Sequence, residues 1–516
     1  MSRADRVDNM RLRRIGYAAT ILFVVLFALF VLTGCDGKQE PGISVPSVSP
    51  TERVTPANDP TPDKPNGSKS DPSGDGAFRV SPEVPPQQPE PVDSPATDGF
   101  TITDNSDTAG ANEANGAKDA ADATASEDLE SPGQDESSQP EPNPEPDPTF
   151  APKPVTVNTL DSLTHDEGIQ AAIKKSAEKY GAVGVQVAVI KNGEIAGAYV
   201  YGDATKKSMP MDMDTKIRIA SISKVVLTML VMRLGELGYI DIDSDISRYW
   251  DAMIRNPNHD DTPVTIRHIL SHTSSILAYD YGFNADGDLI RLRFLDGSCF
   301  GRNEPGAISS WNYNNYAFAA LGVTIEVYMG ETINSLASSY LFDPFGIDAA
   351  FGTGSISDTD RLATIYTSGG GVGLSVDAQK RSLGSTYPGE RGEEFPGGLA
   401  ISAYDLAKLI AVLIGNGEYN GVRLLSHESV ALMETSQGRT GGFEQCLPLR
   451  RRANLYGMDE LYYHTGSNYG IFNLVSFDPA SGDGVIVLTS GADGRKDSND
   501  IYAICGEITE YIYRNP

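Results

Sequence analysis

Basic residues are scarce in this chain. Its 516 residues hold 41 Lys and Arg against 70 Asp and Glu, a formal charge of −29. That balance excludes nucleic-acid binding, which needs Lys and Arg to displace counterions. It also excludes a polybasic membrane-surface protein. Histidine is scarcer still, at six. His268 and His272 stand four apart, but no carboxylate or third histidine nearby completes a metal site. No metal and no cofactor is expected. Cysteine occurs four times, at Cys35, Cys299, Cys446 and Cys505.

Length alone suggests roughly three domains. The composition divides the chain differently. Between Asp36 and Val155 lie 22 of the 32 prolines, with 24 acids against 7 bases, a net of −17. The first 35 residues carry +3, which leaves −15 to the rest. Residues 1–34 read as an export signal. Arg11, Arg13 and Arg14 precede an apolar run of 18 residues from Ile15 to Leu32. That run is just long enough to span a bilayer and long for a secretory signal. Leu32-Thr33-Gly34-Cys35 resembles the bacterial lipobox, which implies lipidation of Cys35 and membrane association through that lipid. The alternative is an uncleaved transmembrane anchor. Both readings put the remainder outside the cytoplasm and the arginines inside.

Residues 35–155 lack apolar periodicity and end in a Pro-Xaa repeat from Pro140 to Pro148. Such a segment cannot bury enough apolar surface to offset its ordering entropy, so disorder is expected. Its r.m.s. span would be roughly 60 Å or more, the reach of a tether.

Residues 156–516 suffice for one large domain. Thr164-His165-Asp166-Glu167 reads as a capping box opening a helix to Lys179. Val183 to Ile190, the turn Lys191-Asn192-Gly193, and Glu194 to Tyr201 read as a β-hairpin. Tyr469 to Phe477 and Gly484 to Ser490 read as strands, and Ser498 to Tyr513 as a closing helix. The expected fold is α+β. One antiparallel sheet is built from the N- and C-terminal segments, flanked by helices, with a mostly helical lobe inserted.

The chemistry gathers in three motifs. Ser221-Ile222-Ser223-Lys224 opens a helix that is apolar on nearly all sides and therefore buried. Ser221 and Lys224, three apart, share a face of its first turn. A lysine buried at a helix N-terminus is disfavoured as an ammonium, so it could take the serine proton. A second match, Ser176-Ala177-Glu178-Lys179, falls on what reads as the exposed face of the first helix. Tyr313-Asn314-Asn315 precedes another apolar helix and can present a hydroxyl and an amide to a cleft. His464-Thr465-Gly466-Ser467 leads toward a strand whose edge could dock an extended substrate.

Together these resemble the serine β-lactamase and penicillin-binding-protein superfamily, in its class C and D-alanyl-D-alanine carboxypeptidase branch, which also holds esterases. Thr265 to Ser274, Asp343 to Ile347 and Pro396 to Leu399 resemble further family segments in the same order. The resemblance implies that Ser221 is the acylated nucleophile, Lys224 its general base and Tyr313 a proton relay. Asn315, His464, Thr465, Gly466 and Ser467 would bind substrate, with the N–H groups of Ser221 and Ser467 as oxyanion hole. It also implies a peptidoglycan peptide or a small ester or amide as substrate. His464 stands where many β-lactamases have lysine, which favours a carboxypeptidase or esterase over a dedicated β-lactamase. A noncatalytic penicillin-binding sensor is the remaining alternative. A monomer is expected. With Cys35 lipidated, three thiols remain, so at most one disulfide can form. A Cys299–Cys446 bridge is considered, with Cys505 in the core.

Overall fold

The computed structural model describes Leu163, residues 165–279 and residues 284–515. The signal-like segment, Cys35 and the Pro-rich linker lie outside the described residues. Among those described, no helix is long and apolar enough to cross a membrane.

The chain opens with helix α1 (Glu167–Lys179) and strands β1 (Gly184–Lys191), β2 (Glu194–Thr205) and β3 (Met209–Pro210). Helices α2 (Ser223–Glu236), α3 (Asn315–Met329) and α4 (Ala403–Ile414) belong to a long insertion. Strands β4 (Gly438–Thr440), β5 (Phe443–Gln445), β6 (Arg450–Leu455), β7 (Met458–Asn468), β8 (Ile471–Asp478) and β9 (Asp483–Ser490) follow, and α5 (Ala503–Arg514) closes the chain. One sheet of nine strands runs in the order β4-β5-β6-β7-β8-β9-β1-β2-β3. Its seam is β9 against β1, antiparallel from Gly184↔Ser490 to Ile190↔Gly484. The sheet joins both ends of the domain, as expected.

Strand periodicity explains the layers. Side chains alternate between faces, so Val185, Val187 and Val189 face α1 and α5, packing with Ile173, Ile504 and Ile508. Ala188 and Ile190 face the other way, into a larger core with Leu406 and Ile410 of α4 and nearly all of α2. Gln186 shares that second face. Its Oε1 accepts from Ala403 N at 3.0 Å and fixes the start of α4. The Asn192-Gly193 turn has φ of 50° and 82°, the double left-handed geometry of a tight hairpin.

Several expectations are corrected. The N-cap of α1 is Asp166, whose Oδ1 accepts from Ile169 N at 2.9 Å; Thr164 lies outside the described residues. Ser176 is buried rather than exposed, because α5 packs there and Glu507 accepts from its hydroxyl at 3.4 Å. The closing helix starts at Ala503, five residues later than read. Asp497 holds the preceding loop by accepting from Asn499 N, Ile501 N and the Tyr456 hydroxyl. The His464 motif lies inside β7, and Tyr469-Gly470 is the turn into β8, with φ of 53° and 108°. The insertion is mostly helical, as expected. A small sheet pairs Leu399–Ile401 with Ile217–Arg218 and with Ala350–Phe351.

Cys299, Cys446 and Cys505 are all free and buried, so the Cys299–Cys446 bridge is not formed. The Cys446 thiol donates to Glu434 O at 3.2 Å, and burial pushes both the Cys299 and Cys446 thiols up to about 12. Cys505 sits in the core as expected, donating to Phe472 O at 3.0 Å.

Candidate active site

The nucleophile candidate sits on a turn fixed from below. Ile219 N donates to Leu399 O at 2.9 Å, which ties the turn to the small sheet. Ala220 has a φ of 49°, an uncommon conformation for a residue with a side chain. The Ser223 hydroxyl donates to Ala220 O at 2.6 Å and accepts from Leu399 N at 3.1 Å. Ser221 lies in a short 3-10 turn, Ala220–Ile222, one step before α2 rather than within it. It is partly exposed, whereas Lys224 is fully buried.

Lys224 Nζ has three neighbours. Asn315 Oδ1 lies at 2.8 Å, Pro396 O at 2.7 Å and Ser221 Oγ at 3.2 Å. Burial, then the positive charge of Arg450, holds Lys224 well below the usual range of a lysine. A neutral amine has two N–H groups and one lone pair. Asn315 Oδ1 and Pro396 O can only accept, so they take both hydrogens. In that neutral form the lone pair is left for Ser221, whose hydroxyl can donate to it. Tyr313 completes the pair: its phenol hydrogen bonds Ser221, and burial raises it above the usual tyrosine range.

Local sequence explains these placements. Asn314 is the N-cap of α3, accepting from Ala317 N at 2.9 Å. Tyr313 therefore precedes the helix, and Asn315 is its first residue. Pro396 follows the short turn Gly392–Glu394, which Arg218 holds through an ion pair to Glu394 at 2.9 Å. Arg218 is three residues from Ser221, so the same bond links the two walls of the Lys224 cage.

The third wall is β7. Strand β6 accompanies β7 only from Leu455↔Met458 to Arg450↔Tyr463. Residues His464 to Asn468 pair with β8 alone and leave a backbone edge on the other side. Gly466 passes the nucleophile turn so closely that a Cβ there would lie 2.2 Å from Ile219 O. Thr465 and Ser467 flank it and are partly exposed. His464 is buried. Its Nδ1 lies 2.8 Å from Thr465 O, a pure acceptor, so Nδ1 carries the proton and Nε2 presents a lone pair. Burial, then Arg450 and Lys224, holds its pKa well below that of an ordinary histidine, so the ring is neutral.

Every residue expected at the site is thus brought to one place, apart from Cys35, which lies outside the described residues. Two participants were not foreseen. Pro396 contributes only a backbone oxygen, which has no sequence signature. Arg450 sits over the rings of Phe443 at 4.5 Å and Tyr313 at 5.8 Å. Its neighbour Arg451 is spent on Glu444 and Glu460, while Arg450 has no ion pair among the described residues. The only hint in the sequence is the run Arg450-Arg451-Arg452 in an acidic domain.

An antiparallel sheet with a helical insertion, and a Ser-Lys pair at their junction, define the active-site-serine class of hydrolase folds. The chain belongs to the beta-lactamase family, whose model matches residues 169–504. Among relatives, it is 26% identical over 236 residues to esterase EstB of Burkholderia gladioli, covering 42% of this chain and 58% of the esterase. It is 25% identical over 303 residues to penicillin-binding protein 4 of Amycolatopsis lactamdurans, covering 57% of this chain and 77% of that protein. Its fold matches a class C β-lactamase from Rhodobacter sphaeroides with a TM-score of 0.52 and 18% identity, over 68% of this chain and all of that one. A β-lactamase/D-alanine carboxypeptidase from Pseudomonas syringae gives 0.52 and 17%, over 69% of this chain and 98% of that one.

Proposed function

We propose that this is an extracytoplasmic serine hydrolase, tethered to the membrane through a lipid on Cys35, that works through an acyl-enzyme on Ser221. Its substrate is a peptide ending in a D-amino acid carboxylate. The observation that carries the mechanism is the buried Lys224 Nζ, 3.2 Å from Ser221 Oγ and held by Asn315 Oδ1 and Pro396 O.

In acylation, Ser221 Oγ attacks the scissile carbonyl carbon and its proton passes to Lys224. The N–H groups of Ser221 and Ser467 stabilise the developing oxyanion. The C–N bond breaks, and Tyr313 gives its proton to the leaving amine while recovering one from Lys224. Water then attacks the Ser221 ester, with Lys224 and Tyr313 taking its proton and returning one to Oγ. The products are the shortened peptide acid and a free D-amino acid. Asn315, whose carbonyl oxygen is engaged by Lys224, offers its amide N–H to the substrate. The backbone edge at His464 to Asn468 offers a docking strand.

Arg450 favours a carboxylate-bearing leaving group over a neutral ester. A guanidinium without a carboxylate partner, beside Tyr313, suits a substrate carboxylate by charge-assisted hydrogen bonding. His464, neutral and with a bare Nε2, cannot supply that charge.

The test labels the protein with a fluorescent penicillin or fluorophosphonate, beside Ser221→Ala, and assays an acyl-D-Ala-D-Ala peptide, a short ester and a chromogenic cephalosporin. Labelling lost in Ser221→Ala, with peptide turnover, supports the reading. Stable labelling without product release would instead mark a sensor. Mass spectrometry of the mature N-terminus tests the tether: an intact Met1–Gly34 would refute lipidation.

A further inference from the structure

His272 is a buried titratable group that the mechanism above does not use. It is only 2% exposed, and its backbone is left-handed at a φ of 61°. Glycine or asparagine would hold that conformation with less strain. The ring nevertheless sits against the proton relay, 4.5 Å from the Tyr313 ring centroid, with Phe318 at 5.1 Å on its other contact.

His272 also grips the chain on both sides of Tyr313. Asn312 N donates to His272 O at 2.9 Å, and Asn314 N donates to His272 Nδ1 at 3.2 Å. The residue before Tyr313 and the residue after it are therefore bonded to the same histidine. Because Nδ1 accepts, the imidazole proton is on Nε2, the opposite tautomer to His464. Burial above all, with the Arg450 charge nearby, holds the ring well below the usual histidine range, so it is neutral.

We infer that His272 is the positioning residue of Tyr313: its neutral imidazole, as acceptor for Asn314 and packing surface for the phenol, fixes the hydroxyl that serves the leaving group. This rests on the hydrolase reading for its consequence in catalysis, and on geometry alone for the placement of Tyr313. The imidazole touches no reacting atom. Its loss acts through Tyr313, and so weighs most where the leaving group needs a proton.

Two variants separate ring from backbone. His272→Gly accepts the positive φ and deletes the ring. His272→Asn tolerates the same φ and places Oδ1 where Nδ1 stood, keeping an acceptor for Asn314. On an acyl-D-Ala-D-Ala peptide, His272→Gly is expected to lower kcat about 100-fold with little change in KM, the size of a lost general-acid contribution. In the acylation burst with p-nitrophenyl acetate, whose leaving group departs as an anion, the loss is expected to stay under about fivefold. His272→Asn is expected to return both substrates to within roughly threefold of wild type. A crystal structure of His272→Gly should show the Tyr313 hydroxyl displaced by about 1 Å or more. Equal losses on both substrates, or no recovery in His272→Asn, would overturn the inference. So would Tyr313 unmoved in His272→Gly, a result that can be read even if wild type turns over neither substrate and the hydrolase reading has failed.

Discussion

Gly466 lies so close to Ile219 that the first carbon of any side chain would fall 2.2 Å from the Ile219 carbonyl oxygen. No atom fits there without moving either β7 or the turn that carries Ser221. The distance between nucleophile and docking strand is thus set by a missing methyl group. Gly466→Ala is expected to lower kcat/KM about 100-fold, the effect of a displacement near 1 Å in a reacting pair. Circular dichroism and Tm of the variant, taken alongside the kinetics, check that the fold survives. Unchanged kinetics would show that the two walls are not held by this contact.

Lys224→Met should remove acylation while leaving the fold intact. The amine is fully buried, and burial holds its pKa well below the usual range of a lysine, so methionine fits the same apolar path without adding a charge. The loss in acylation rate is expected to be about 10²–10⁴-fold, the span of a general base. Stopped-flow labelling with a fluorescent penicillin reads it directly. Asn315 Oδ1 and Pro396 O lose a donor, so a small fall in Tm is also expected.

Arg450→Gln separates two consequences of one charge. The guanidinium lowers the pKa of Lys224 by like-charge repulsion, so its removal raises that pKa. The active form of Lys224 is neutral, and the acid limb of kcat/KM should therefore move to higher pH. Independently, KM for a peptide with a terminal carboxylate should rise about 10–100-fold, the worth of a charge-assisted hydrogen bond. A neutral ester should show the pH shift without the rise in KM.

Glu326 gives a pH effect on stability. It is fully buried in α3, with Oε1 accepting from Ile333 N and Oε2 from Gly389 N, both at 2.7 Å. Burial raises its carboxyl from 4.5 to about 7. A folded pKa above the unfolded one means that the protonated form stabilises the fold at low pH. That contribution is complete below 4.5 and is lost as pH rises through about 7. The shift corresponds to about 3 kcal/mol. Urea unfolding of wild type and Glu326→Gln at pH 4.5, 6 and 8 measures it. The stability of wild type relative to the variant should fall by that amount, a comparison in which the buried histidines cancel.

The motifs with distinctive side chains were legible before the structure. Ser221, Lys224, Tyr313, Asn315 and His464 carry reactive groups at fixed spacing, next to apolar runs that announce buried helices. The sheet seam was legible because β1 and β9 are rich in branched apolar residues. What was hidden depended on backbone and on pairing. The carbonyl of Pro396 looks like any other carbonyl. Arg450 is one of three consecutive arginines, and only the register Arg450↔Tyr463 sets it beside the His464 motif. His272 could be read as one half of a metal pair, because its partner Tyr313 is far along the chain. The start of α1 was misplaced since Thr164 and Asp166 are both residue types that cap helices, and Asp166 is the one that accepts from Ile169 N.

The seam between β1 and β9 also has a consequence for biosynthesis. The sheet cannot close until Ser490 has left the ribosome, because the strand that carries Gly466 joins β1 only through β8 and β9. Pairings this remote along the chain form slowly and late. Ser221 therefore waits, without its docking strand, until the residues of β9, more than 260 positions later, have been made. A truncated product ending before β9 would carry the entire Ser-x-x-Lys motif and still lack a cleft.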